Sequence, residues 1–208
     1  MITLQSALQR LILAAALSAA ASAAVAGPSY HVNVDTAALA GQTGFLDFST
    51  VGMLDAPGAL ATFSNLTSIG GTYGVESDRV GAVLGSIPSG FSIGNALGDS
   101  YLTHAISFGG LYSFDVSFSG DYQSVASPNG TSFAVALYNA DFSSSLLRAR
   151  FDAQPAFAGQ AAGVTVFAEG AGVAITALPT SAVPEPGTWA MLLTGLLLTG
   201  AVVRRRQQ

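Results

Sequence analysis

YSFDVSFSG, residues 112–120, sets Tyr112, Phe114, Val116 and Phe118 on one side of an extended chain and Ser113, Asp115 and Ser117 on the other. A period of two is the mark of a strand with one face buried and one face wet. The same beat recurs on both sides. In SFAVALYN, Phe133, Val135 and Leu137 share a face; in LLRARFD, Leu147, Ala149 and Phe151 oppose Arg148, Arg150 and Asp152. YHVNVD, GFLDFS, ALATFSNLTSI, YLTHAISF, GVTVFA and GVAITAL add six more segments. Glycine, proline, asparagine and aspartate punctuate them, as in SGDYQSVASPNGTS and NADFSSS. About nine short strands, each with one apolar face, predict an all-β body: an antiparallel β-sandwich or jelly roll over residues 27–181. The stretch from Gly70 to Gly98 is less regular and reads as loops with one short helix or strand.

Composition agrees with a packed body. Half of the 208 residues are apolar and 9% are charged, whereas disordered chains are apolar-poor and charge-rich. There is no cysteine, so no disulfide supports the fold and no thiol is available as a nucleophile. Lysine is absent too. With Arg10 near the start and Arg204, Arg205 and Arg206 at the end, the body keeps three arginines against eleven acids, a charge near −8. Such a body cannot neutralise phosphates, which excludes a nucleic-acid partner.

Both ends are apolar. Residues 1–26 carry one charge, Arg10, then an apolar stretch from Leu11 to Leu17 that decays into small residues. Ala24-Val25-Ala26 has the small-x-small form that signal peptidase reads, which predicts a cut before Gly27, with Ala21-Ser22-Ala23 as the alternative. At the other end, Gly187 to Val203 runs 17 residues without a charge. That is about 25 Å of helix, close to the thickness of a hydrocarbon core. Trp189 marks its outer edge, and Arg204 to Arg206 form a stop that stays cytoplasmic. A single transmembrane helix over 187–203 is therefore expected, with the body outside.

Just before that run, Pro184 and Pro186 fix φ and keep Val183-Pro184-Glu185-Pro186 extended, a stiff peptide fit for a processing enzyme's cleft. The order Val-Pro-Glu-Pro-Gly-Thr, short apolar helix and terminal arginine cluster resembles the PEP-CTERM sorting signal of exported Gram-negative proteins. The resemblance covers residues 183–206. It implies that Pro184, Glu185 and Pro186 are recognised by the membrane protease exosortase and that the tail is removed. It also implies an inner-membrane precursor that passes to the cell surface or the extracellular matrix, where such proteins are associated with exopolysaccharide and biofilm. The opening of the body, YHVNVDTAALAGQTGFLDF, resembles the start of one recurring PEP-CTERM body type that has no assigned activity.

Signals for chemistry in the body are sparse. His31 and His104 stand alone in strands without metal-ligand spacing, and structural roles suit them better than zinc. There is no Gly-x-Ser-x-Gly elbow. Asp115, Asp121, Asp141 and Asp152 fall in neighbouring segments, and a converging pair would suit a matrix-polymer hydrolase. Loop acids at a sandwich edge would suit Ca²⁺, although no EF-hand-type loop is present. The plain reading is solvation and turn formation. GQTG and GGTYG lack the strand-to-helix context of phosphate loops. Asn65 and Asn129 sit in sequons that bacterial export leaves unmodified. The expectation is a noncatalytic surface or matrix protein with no cofactor, catalytic residue or metal site. A carbohydrate-binding module is the first alternative, marked by exposed rings among Tyr101, Tyr112, Tyr122 and Tyr138. The hydrolase is the second.

Overall fold

Period-two alternation becomes twelve antiparallel strands in the computed structural model, which describes residues 27–179. Several expectations lie outside the described residues: the leader with Ala24 and Ala26, the Pro184-Glu185-Pro186 elbow, the span 187–203, and Arg204 to Arg206. Among the described residues no helix is long and apolar enough to cross a membrane.

In chain order the strands are β1 (Ser29–Asp35), β2 (Thr43–Gly52), β3 (Leu60–Ile69), β4 (Thr72–Val80), β5 (Ala82–Ser86) and β6 (Gly90–Gly94). They continue with β7 (Ser100–Ser107), β8 (Leu111–Ser119), β9 (Thr131–Asn139), β10 (Ser145–Gln154), β11 (Gly163–Glu169) and β12 (Val173–Leu178). One six-stranded sheet has the order β12-β1-β8-β3-β6-β5, the other β11-β10-β9-β2-β7-β4. The chain changes sheet at eight of its eleven strand connections, so the two layers are laced together along the whole sequence. This is the sandwich that the alternation predicts.

Aromatic side chains from the facing layers fill the space between the sheets. Phe48 of β2 meets Phe63, Phe91 and Phe114 of the opposite sheet at ring-centroid distances of 5.0, 4.9 and 5.8 Å, all edge to face. A second group joins Tyr30 and Phe118 of one sheet to Phe133 and Phe151 of the other. Edge-to-face contact suits the ring quadrupole and adds to the burial of the apolar area. Phe48, Phe63, Phe114, Phe118, Phe133 and Phe151 are all buried.

The stretch from Gly70 to Gly98 departs from expectation. It folds into three strands, β4, β5 and β6, rather than loops with one element. β6 contributes only Phe91 and Ile93 to the core, too short an alternation to register. β4 is an edge strand, mostly exposed, and its pairing with β7 slips between Tyr73 and Glu76 and again between Glu76 and Asp78. Those bulges scramble the period. They also have a use, because a bulge re-aims side chains. Glu76 pairs in register with the inward His104, whereas Asp78 pairs with the outward Thr103. In a regular strand, residues 76 and 78 would share one face. Gly81 then carries the chain from β4 to β5, from one sheet to the other, in a single residue. Its φ of +78° and a Cβ position crowded against Ser100 leave room only for glycine.

Candidate functional site

Bulge and alternation together build a cleft of about 490 Å³ on the outer face of the second sheet. β2 presents Phe45, Asp47 and Ser49, β7 presents Tyr101 and Thr103, and β4 presents Asp78. Asp47 and Asp78 both pair in register with Thr103, so they flank it on one row, two strand spacings or about 10 Å apart at the backbone. Small residues floor the face beyond: Ala134 and Ala136 of β9 pair with Ser49 and Asp47.

Each acid is held in place. The Thr103 hydroxyl donates to Asp47 Oδ1 at 2.6 Å. Asp78 Oδ2 accepts from the Tyr101 hydroxyl at 3.1 Å, and its Oδ1 accepts from the Arg79 backbone N–H at 2.8 Å. Burial raises the Asp47 pKa above the ordinary carboxylate value; hydrogen bonds from Thr103 and Ser49 oppose this only in part, and the Asp78 charge adds to the rise. Tyr101 is pushed up too, chiefly because its hydroxyl donates to Asp78. The cleft lining holds two carboxylates and no basic side chain. The guanidinium of Arg79 does not serve it, being engaged with Glu76, Val83 and Gly85.

Phe142 completes the lining. It sits in the turn between β9 and β10, 44% exposed and at φ +61°. A non-glycine residue in the left-handed region is uncommon and needs support. The turn supplies it. Asn139 accepts from the Ser144 N–H and donates to the Ser143 hydroxyl, while Asp141 accepts from both the N–H and the hydroxyl of Ser143. The Phe142 ring lies flat on Tyr138, centroids 4.3 Å apart, and tilts against Phe45 at 5.2 Å.

The residues singled out from the sequence fall elsewhere. Asp115, Asp121, Asp141 and Asp152 are held in separate local arrangements. Asp115 lies on the other sheet's outer face, where it accepts from Asn65 at 2.7 Å and meets His31 Nδ1 at 2.6 Å. Partial burial raises its pKa, but those two partners outweigh burial and leave it below the ordinary value. Asp121 opens a single 3-10 turn, Asp141 braces the Phe142 turn, and Asp152 accepts from Ser132. Among the described residues no group of three or more His, Asp or Glu is placed to hold a metal ion. His104 is buried beside Leu102 and Ile106, with Nδ1 3.5 Å from the Gly74 carbonyl and Nε2 3.8 Å from Glu76. Both sequon amides are engaged, Asn65 with Asp115 and Asn129 with the Leu54 carbonyl. Tyr112 and Tyr122 are buried in the core; Tyr101 lines the cleft and Tyr138 backs Phe142.

Asp47, Asp78, Phe45 and Phe142 were not legible as a group. The signal available was an aromatic inside a turn, Phe142 within NADFSSS, where polar residues are the rule.

The described body is thus an all-β sandwich with one aromatic and acidic cleft on a sheet face. Beyond it, residues 182–207 match the PEP-CTERM protein-sorting motif, so the chain carries the sorting signal of an exosortase-targeted, exported protein whose precursor transits the membrane. No curated protein matches the chain, and no solved structure does.

Proposed function

We propose that the chain is a noncatalytic component of the cell surface or extracellular polymer, delivered there by exosortase. The sorting motif at 182–207 is the observation that carries this reading. In it, signal peptidase cuts after Ala26 to leave Gly27 at the front. The span 187–203 holds the precursor in the inner membrane with Arg204 to Arg206 inside. Exosortase then reads Pro184, Glu185 and Pro186 and frees the body toward exopolysaccharide or biofilm matrix. An acidic sandwich without lysine or cysteine suits a passive extracellular role. The mass of the protein recovered from outside cells with and without exosortase tests the reading. Loss of the tail only where exosortase is present is expected; surface protein with its tail intact in both strains would overturn it. The cleft of Asp47, Asp78 and Tyr101 favours a carbohydrate-binding role for the body over a purely structural one.

A further inference from the structure

Two unneutralised carboxylates beside three aromatic rings define a ligand chemistry. Asp47 and Asp78 have hydroxyl and amide donors but no cation in the cleft, in a chain that has no lysine anywhere. An ionised group left without a counter-charge favours a partner that brings one. Phe45, Tyr101 and Phe142 line the cleft, and the negative quadrupole of an aromatic ring attracts both ammonium groups and the C–H face of a sugar ring. Ser49, Ser77 and Thr103 add hydroxyls along the lining.

The backbone decides between a sugar and a peptide. β2 pairs with both β9 and β7, and β7 pairs with both β2 and β4, so the main-chain groups beneath the cleft are spent in ladders. Extended peptides gain affinity by adding a strand to a free edge; the free edge beside the cleft is β4, whose two bulges interrupt the ladder a peptide would extend. Recognition must run through side chains. An open, aromatic-sided trough with fixed acceptors suits a polymer that presents rings, hydroxyls and amines.

We propose that the cleft between Phe45, Tyr101 and Phe142, with Asp47 and Asp78 as acceptors, binds amine-bearing sugar units of an extracellular polysaccharide. The polymeric nature of the ligand rests on the surface reading above; the preference for an amine rests on the cleft alone. Phe142 acts here as a platform held in advance. Its left-handed backbone and its stacking on Tyr138 keep the ring where a sugar would otherwise have to order it.

Calorimetric titration of the full chain in detergent micelles near pH 6 tests this. The probes are a glucosamine tetramer, its fully N-acetylated counterpart, a galacturonate tetramer and tetralysine. Binding of the glucosamine tetramer, weakened by salt and stronger than that of the other three, is expected. Asp47→Asn and Asp78→Asn should each lower that affinity about tenfold, the size of a charge-assisted hydrogen bond. Phe142→Ala should lower it several-fold; its exposed position keeps the fold intact, with near-ultraviolet circular dichroism as the check. Equal binding of the acetylated tetramer, tighter binding of tetralysine, release of new reducing ends, or no binding at all would each overturn the proposal. The titration uses no processing enzyme, so a null result leaves the exosortase reading standing, and an unprocessed tail in cells leaves the cleft proposal standing.

Discussion

Arg79, on the edge strand of one sheet, donates from Nη2 to the carbonyl of Gly85, on the edge strand of the other, at 2.9 Å. The same guanidinium grips Glu76 at two points, 2.7 Å each. That fork lowers the Glu76 pKa, through hydrogen bonding first and charge second. One side chain therefore adds a second tie at the margin where Gly81 carries the chain from sheet to sheet.

Lysine cannot reproduce a planar fork. Arg79→Ala should lower the melting temperature by a few degrees, and Arg79→Lys should recover only part of the loss. Thermal melts followed by circular dichroism are the measurement. Equal melting of all three proteins would show that the margin is held by the ladders alone.

His104 links this margin to pH. Burial lowers its pKa below the ordinary value of about 6.5, more than the Gly74 carbonyl and Glu76 raise it, with Arg79 adding to the fall. The unfolded chain therefore takes up the proton first, and stability is lost as pH drops below about 6.5. Glu76 and Asp115 titrate below the usual carboxylate range and act only at lower pH. Urea midpoints measured between about pH 7 and 5.5 should fall for the parent chain and flatten in His104→Leu.

Phe48 is the ring on which the two layers meet, touching Phe63, Phe91 and Phe114. Phe48→Ala should cost about 3–5 kcal/mol, from lost burial plus a cavity that a laced sandwich cannot collapse. Urea denaturation reads this directly. A loss below about 1 kcal/mol would mean that the cluster repacks freely.

Asp47 should show opposite signs for stability and binding. Its folded pKa is raised, so its favourable contribution is present only below the unfolded value and disappears as pH rises through the folded one. At neutral pH the ionised carboxylate is a burden on the fold. Asp47→Asn keeps an acceptor for Thr103 and should stabilise the protein at pH 7, with the gain vanishing near pH 4. Denaturation curves at the two pH values decide it.

The proposed sorting role of Pro184 and Pro186 is open to a separate test. Replacing both with alanine leaves the apolar run and its arginines in place, so insertion should persist, but it lets helix extend through Glu185. The variant should accumulate in the inner membrane with its tail uncut. Normal trimming and delivery of that variant, scored by fractionation and mass, would make the elbow irrelevant to sorting.

All nine segments with a marked two-fold beat are strands, because burial of one face leaves a plain trace in residue order. β4 escaped notice for a physical reason. An edge strand with two bulges has no regular apolar face to display. The cleft was hidden by the same cause. Asp78 faces outward only because of the bulge after Glu76, and Asp47 meets it across β7, from residues 31 positions away. Asp115 and Asp152, adjacent by segment, end on opposite sheets. For these acids, proximity along the chain carried no information about proximity across the fold.

β12 is an outermost strand, bonded only to β1, and the two run antiparallel with Leu178 opposite Ser29. Tension on the chain beyond Leu178 that is directed across the strands, away from β1, would meet this ladder one rung at a time, whereas tension along β12 would shear all its rungs together. Each rung contributes about 1 kcal/mol net, so such a ladder yields at low force. A pull in the first direction would peel β12 away and leave the remaining eleven strands loaded only afterwards. Under such a load the last strand is the mechanical fuse of the body.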